Sequence, residues 1–155
     1  MGANRIRVAK DKADLVKHLV ASDQTTGPFQ TYADVMVLAA SLGVKRKKRT
    51  PLATIAKKEP APIALEVFVS RGYDLVFNLL AIAETKDTTV ISPTEPHSEE
   101  QRQQIFEEYA NGGLEILRDE LRGAVDYTER LLLILSSERF KQESPEDDFD
   151  LSLFL

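Results

Sequence analysis

The feature that most constrains the fold is a long apolar stretch ending in a run of cations, Phe29 to Pro51 (FQTYADVMVLAASLGVKRKKRTP). Thr31 and Asp34 form a Thr-x-x-Asp pair, which is typical of a helix N-cap with an acidic first turn. A helix that is apolar nearly all round is usually central to a core, and Gly43 is predicted as its left-handed C-cap. The apolar residues recur at helical spacing: Tyr32, Val35, Met36, Val37, Leu38, Ala39, Ala40 and Leu42.

Five consecutive cations follow this helix: Lys45, Arg46, Lys47, Lys48 and Arg49. They come where the negative end of the helix dipole favours positive charge. One interpretation is a phosphate-binding loop, whose affinity would fall by roughly two to three decades between about 50 and about 200 mM salt. The other is a solvated loop that helps to cap the helix, and no aromatic residue is interleaved here to stack on a base.

The rest of the composition sets the broad class. A chain of 155 residues predicts one domain, and the absence of cysteine excludes disulfides, thiolate catalysis and zinc–cysteine sites. No N-terminal run resembles a signal peptide and no stretch is long enough for a membrane span, so a cytoplasmic protein without membrane contact is expected. The net charge of −5 is uneven, because the basic run carries +5 and residues 138–150 carry −4.

The N-terminal segment alternates cations with apolar residues, since Arg5 and Arg7 flank Ile6 and precede Val8. This alternation predicts a short strand or extended arm, and a first helix is predicted from Lys12 to Val20 with Asp11 as N-cap. A strand followed by two helices is similar to the ribbon-helix-helix class, in which Arg5 and Arg7 would read DNA bases. The ten residues between the two helices make that class a minor alternative.

Taken together, the patterns predict a mainly α fold: a compact single-domain helical bundle with a short N-terminal strand and a flexible acidic C-terminal tail. Residues 63–70 are ambiguous, with a short helix favoured, and residues 73–84 predict a clearer helix. The following helix is predicted to start at a capping box of Ser98 and Gln101. Asn111-Gly112-Gly113 lies within its pattern, which predicts either a kink or break, or the close approach of another backbone.

The last helix is predicted over residues 127–137, with Asp126 and Glu129 at its start. Its run Leu131–Leu135 is almost wholly apolar, so a core position is expected. The predicted domain covers residues 1–137, and residues 138–155 form the predicted acidic tail.

The chain ends in Asp150-Leu151-Ser152-Leu153-Phe154-Leu155. This end resembles the bacterial sliding-clamp binding peptide, Gln-Leu-Ser/Asp-Leu-Phe, with Asp150 in place of the glutamine. A disordered linker would then present Leu151, Leu153 and Phe154 to apolar pockets of a partner. Packing of this segment on its own domain or on another copy, and contact of the acidic tail with the basic run, are the alternatives.

Enzyme activity is not predicted. His18 and His97 are distant in sequence and lack partners with ligand spacing, so no catalytic residue, metal site or cofactor is expected. The glutamates between residues 99 and 120 favour the solvated face of an amphipathic helix over a site.

Three segments carry a family resemblance: Arg5 to Lys10, Phe29 to Gly43 with its basic continuation, and Glu108 to Leu114 (EYANGGL). They resemble the bacterial family of DNA phosphorothioation-associated protein 4, an accessory protein of Dnd systems. The resemblance implies a gene product found beside systems that replace a non-bridging phosphate oxygen of DNA with sulfur, or that restrict DNA lacking this mark. It implies no catalytic residue.

The sequence thus predicts a non-catalytic accessory protein of a DNA modification or restriction system. It would bind DNA or the larger proteins of that system through the Arg5/Arg7 arm and the run Lys45–Arg49. The alternative is an adaptor that contacts only proteins, through the tail and an apolar helical face, with the sliding clamp as one possible partner.

Overall fold

The computed structural model describes residues 4–22 and 25–140 of the chain. This part is mainly α, as predicted, and its one sheet pairs β1 (Arg5–Ile6) with β2 (Ile63–Ala64) in antiparallel register. No helix in it combines the length and apolar content that a membrane span requires. The predicted acidic tail beyond residue 140 lies outside the described residues. The helices are α1 (Ala13–Leu19), α2 (Tyr32–Lys45), α3 (Leu65–Ser70), α4 (Asp74–Thr85), α5 (Pro96–Glu120) and α6 (Tyr127–Phe140).

The core is built on α2 and α5, which glycines bring very close together. A Cβ atom on Gly113 of α5 would lie 1.7 Å from the carbonyl oxygen of Ala39 in α2. A Cβ atom on Gly43 of α2 would lie 2.2 Å from the carbonyl oxygen of Tyr109 in α5. These distances are far inside van der Waals contact, so the helices pack this closely only because both positions lack a side chain.

The predicted role of Gly43 as a C-cap is therefore wrong, because the residue lies inside α2 and provides space for α5. The helix continues to Lys45, and the left-handed conformation belongs to Lys47 at φ 55°. Of the two predictions for Asn111-Gly112-Gly113, close approach of another backbone is confirmed. Helix α5 is not interrupted there, and a Cβ atom on Gly112 would lie 2.0 Å from the carbonyl oxygen of Lys48.

Local capping explains the starts of two helices. Thr31 Oγ1 accepts a hydrogen bond from the Asp34 N–H at 3.2 Å, as predicted for α2. At α6, Asp126 Oδ1 accepts hydrogen bonds from the N–H groups of Thr128 and Glu129 at 2.9 and 3.2 Å. Both caps satisfy N–H groups that the first helical turn leaves without an intrahelical partner.

The starts of α5 and α1 were predicted wrongly. Helix α5 begins at Pro96, whose fixed φ suits a first helical position, and the Ser98 hydroxyl donates to the Thr89 carbonyl at 3.1 Å. Helix α1 follows a 3₁₀ turn over Lys10–Lys12, and no side chain caps it.

A second part of the core is aromatic and joins α3, α4 and α5. The ring centroids of Phe68 and Phe77 are 5.2 Å apart, and Phe106 lies 5.5 Å from Phe68 and 4.1 Å from Phe77. Within the ambiguous segment 63–70 the favoured short helix is confirmed as α3, and the two residues before it form strand β2. On α4 the buried residues are Phe77, Leu80 and Ala81.

Helix α6 is less buried than predicted. Leu131 and Ile134 are buried, but Leu132 and Leu133 are 61% and 58% exposed, so the expectation of a wholly core element is wrong. Since α6 continues to Phe140, the predicted division after residue 137 falls within this helix.

Candidate interaction surfaces

The basic run occupies the end of α2 and the turn after it, and its first two members contact α6. Lys45 Nζ donates to the Glu138 carbonyl oxygen at 2.8 Å. Arg46 Nε donates to Glu138 Oε1 at 2.6 Å, and the guanidinium also contacts the Glu120 carboxylate. Glu138 is almost fully buried, so these contacts join the last turn of α2 to the last turn of α6.

The fourth and fifth cations of the run are paired with α4 and α5. Lys48 Nζ lies 3.1 Å from Glu115. Arg49 lies 2.9 Å from Glu84 and 2.5 Å from Glu108, with its Cζ atom 5.9 Å from the centre of the Tyr109 ring. These positions of the basic run are therefore neutralised by the protein's own carboxylates.

Lys47 differs from its four neighbours. It is exposed at the left-handed position of the turn, and within residues 4–22 and 25–140 no carboxylate is paired with it. The geometry explains this difference, because the left-handed φ turns the chain between Arg46 and Lys48.

The two arginines of the N-terminal strand also differ. Arg7 forms two side-chain hydrogen bonds to Glu107, each at 3.0 Å, and its backbone N–H donates to the same carboxylate at 2.6 Å. Glu107 is 4% exposed, so Arg7 holds a buried charge in place. Arg5 is exposed and donates one long hydrogen bond to the Pro62 carbonyl oxygen at 3.4 Å.

The ion pairs shift the titration of their members. The hydrogen bond from Tyr109 and the contact with Arg49 hold the pKa of Glu84 below its ordinary value. Burial would raise the pKa of Glu115, but hydrogen bonds from Lys48 and Lys12 outweigh this and lower it. Burial and the hydrogen bond to Glu84 raise the pKa of Tyr109 to about 12. Glu84 and Glu115 therefore remain ionised at neutral pH.

Among the residues that the structure describes, exposed large apolar side chains occur in two groups. The first, named here the α3–α4 surface, comprises Val67 and Val69 on α3 and Leu75 and Leu79 on the next helix, α4; the two leucines share one side of α4 and are 62% and 57% exposed. Helical spacing in the sequence predicts that Leu75, Val76, Leu79, Leu80 and Ala83 share one face, but Leu80 is buried whereas Leu75 and Leu79 are exposed, so this grouping is wrong. The buried residues of α4 are Phe77, Leu80 and Ala81. Leu75 and Leu79 form a separate stripe, and their spacing of four residues is the sequence signal that could have indicated it.

The second surface, the α6 outer face, comprises Leu132, Leu133 and Phe140, with Phe140 74% exposed. It lies on the opposite side of the helix from Leu131 and Ile134. Sequence analysis missed it because a run of five apolar residues does not show which of them face outward.

A polar cleft of about 710 Å³ lies between the N-terminal 3₁₀ turn and α5. Lys12 is buried there, with Nζ 3.1 Å from Asp11 and 3.3 Å from Glu115. Asn111 donates to the carbonyl oxygens of Thr50 and Pro51 at 3.1 and 3.3 Å, while its buried Oδ1 has no hydrogen-bond partner among the residues whose structure is described. These groups tie the segment after the basic run to α5.

In the part of the chain that is described, no group of three or more histidine, aspartate or glutamate side chains is placed to hold a metal ion. The predicted tail residues Leu151, Leu153 and Phe154 lie outside the described residues.

Comparisons with known proteins identify one relationship. No curated protein and no solved structure matches the chain. Residues 5–154 match the family described as DNA sulphur modification system-associated protein 4. Because this match covers nearly the whole sequence and agrees with the resemblance carried by the Phe29–Gly43 and Glu108–Leu114 segments, the chain belongs to that family.

Proposed function

We propose that the protein is a non-catalytic accessory component that acts by binding another protein of the DNA sulphur modification system, and that the α3–α4 surface is its contact. The observation that carries this proposal is the contrast between cations and apolar residues. Four of the five cations in the basic run contact the protein's own glutamates, whereas Leu75 and Leu79 face water.

The ion pairs weigh against DNA binding by the basic run. To contact a phosphate, Arg46, Lys48 or Arg49 would have to exchange a carboxylate partner that already neutralises it. Breaking that pair costs free energy and leaves an unpaired glutamate close to the phosphates, and both effects offset the affinity gained by releasing counterions from DNA. The exposed leucines require no such exchange, because burying them against a partner removes apolar surface from water.

Charge near the α3–α4 surface indicates the chemistry of the partner. Glu66 precedes Val67, and Asp74 precedes Leu75; both acids are exposed, and neither has an ion-pair partner among the residues that the structure describes. Exposed apolar side chains with acidic neighbours along the chain fit a protein surface that has an apolar pocket bordered by lysine or arginine.

Co-expression with each other protein of the host's modification system tests this proposal. Affinity purification of the wild-type chain is expected to retain one of them, and Leu75→Asp with Leu79→Asp is expected to lower retention at least about tenfold by placing charge in an apolar contact. The matched control is Val125→Asp, at a fully exposed residue away from this surface. Unchanged retention in the double variant, or no retention of any system protein by the wild type, would reject the proposal.

DNA contact is a second candidate, favoured by the exposure of Arg5 and Lys47. The salt dependence of duplex binding shows how many cations contact the DNA. Contact by these two residues alone predicts a slope of about −2 for the logarithm of the binding constant against that of salt, whereas contact by all seven predicted cations requires about −6. Charge reversal at Arg5 and Lys47 that leaves duplex binding unchanged would exclude this candidate.

The sliding-clamp alternative rests on the sequence of the tail. Calorimetry with a peptide of residues 142–155 is expected to give heat with the clamp if the resemblance is functional, and Leu153→Ala with Phe154→Ala should abolish it. Absence of heat with the unmodified peptide removes the clamp as a partner.

A further inference from the structure

Helix α6 carries apolar residues on two opposite sides. One side faces the domain through Tyr127, Leu131 and Ile134. At about 100° per residue, Leu132, Leu133 and Phe140 lie on the other side and are exposed. A helix with this arrangement is suited to lie between two protein surfaces, and residues 4–22 and 25–140 supply only one of them.

The outer face has a large–small–large order. Leu132, Ser136 and Phe140 follow one another at intervals of four residues, so they form one stripe about 12 Å long along the axis. The small serine between two large apolar residues leaves a depression into which a side chain from a second helix fits.

Charges at the edges of this stripe select the direction of that second helix. Glu129 lies near the start of α6 and Arg139 near its end; both are exposed, and neither side chain has a partner among the described residues. A parallel copy of α6 would place like charges beside each other. An antiparallel copy places Glu129 of each chain beside Arg139 of the other, and in that register Leu132 of each chain lies opposite Ser136 of the other.

We infer that the α6 outer face binds the same face of a second copy of this chain, with the two helices antiparallel about a two-fold axis. Such a contact is isologous, because both copies use the same surface. If one residue of the first copy contacts a second residue of the other copy, the same two residues also meet with the copies exchanged. One helix pair about 20 Å long buries less area than a standard stable interface. The dimer therefore dissociates on dilution in the micromolar range, and its formation leaves the α3–α4 surface free.

Sedimentation velocity of the full chain from about 1 to about 200 µM tests the inference. The wild type is expected to shift from monomer to dimer across this range, and Leu132→Glu is expected to weaken the association at least about tenfold by placing a charge in the stripe. Leu75→Glu is the matched control, because it introduces the same charge at an equally exposed leucine of another helix. A wild type that remains monomeric throughout, or equal association of both variants, would overturn the inference.

Charge exchange tests the direction of the helices. Glu129→Arg or Arg139→Glu alone is expected to weaken association, because each places like charges together twice. The double variant restores association in the antiparallel arrangement. Failure of the double variant to exceed both single variants would refute it, with circular dichroism used to verify that each variant is folded.

Discussion

The composition of the basic run suggests free cations facing water, and that of α6 suggests a buried helix; the structure departs from both. Four of the five cations of the run lie against carboxylates from α4, α5 and α6. Helix α6, with five consecutive apolar residues, leaves Leu132 and Leu133 more than half exposed. Charge density thus marks an internal contact here, and apolar density marks a surface.

This difference depends on which groups elsewhere in the chain contact each segment. Glu84, Glu108 and Glu138 are 35 to 93 residues away from the cations they meet, so no local pattern shows that the run is neutralised. The opposite holds for α6, because the described part of the chain covers only one side of this helix with apolar surface. A cluster of charged residues in a sequence therefore indicates an interaction site only when those residues are not already paired within the protein.

The largest expected effect concerns the glycines that allow α2 and α5 to pack closely. Gly113→Ala is expected to destabilise the protein by about 3 kcal/mol or more, because the new methyl group would overlap the Ala39 carbonyl oxygen. Alanine at an ordinary helical glycine would instead stabilise by up to about 1 kcal/mol. Urea unfolding followed by circular dichroism measures the change, and a more stable variant would show that α2 and α5 are not in close contact.

The second prediction compares neighbouring leucines of α6. Leu131→Ala is expected to destabilise by about 2 to 4 kcal/mol because it removes buried volume. Leu133→Ala, at an exposed position, should change the free energy of unfolding by about 0.5 kcal/mol or less when measured where the protein is monomeric. Equal losses at the two positions would mean that both sides of α6 are packed within one chain.

The third prediction separates the two strand arginines that sequence analysis treated alike. Arg7→Ala is expected to destabilise by about 1 to 2 kcal/mol, because the buried Glu107 loses its cation; the exposure of Arg7 reduces the full cost of breaking a buried pair. Arg5→Ala should be nearly neutral as the matched control. If Arg5→Ala is the more destabilising of the two in thermal unfolding, the assignment of Arg7 to a structural role is wrong.

The smallest effect is the pH dependence of the pairs around the run. Glu84 and Glu115 have pKa values below their ordinary range in the folded protein. Their contribution is therefore present above the unfolded pKa of glutamate, near 4.3, and is lost as the pH falls through the lower folded values. Glu115→Gln should flatten the fall in stability on the acid side of about pH 5, and an unchanged profile would contradict the pairing.

Part of the local chemistry was predictable from sequence, although the starts of α1 and α5 were not. The Thr31 cap of α2, the Asp126 start of α6 and the mainly α class all follow from residues within one helical turn of each other. Gly43 was misassigned because a glycine before a basic run has the pattern of a C-cap, whereas its actual neighbour is the Tyr109 carbonyl 66 residues away.

The candidate surfaces were less accessible to sequence analysis. Leu75 and Leu79 have helical spacing, but so do the residues that the aromatic cluster buries, and only the position of Phe106 decides which side of α4 faces inward. In the same way, the pairing of Arg7 depends on α5 crossing the strand at Glu107.

The internal pairing of the basic run has a consequence for how the protein is distributed in a cell. With a net charge of −5 and four of its five clustered cations already matched, the chain is expected to have little long-range attraction to bulk chromosomal DNA. Under the proposed protein contact, we expect most copies to diffuse freely, and the number engaged to follow the abundance of the partner protein and not the mass of DNA.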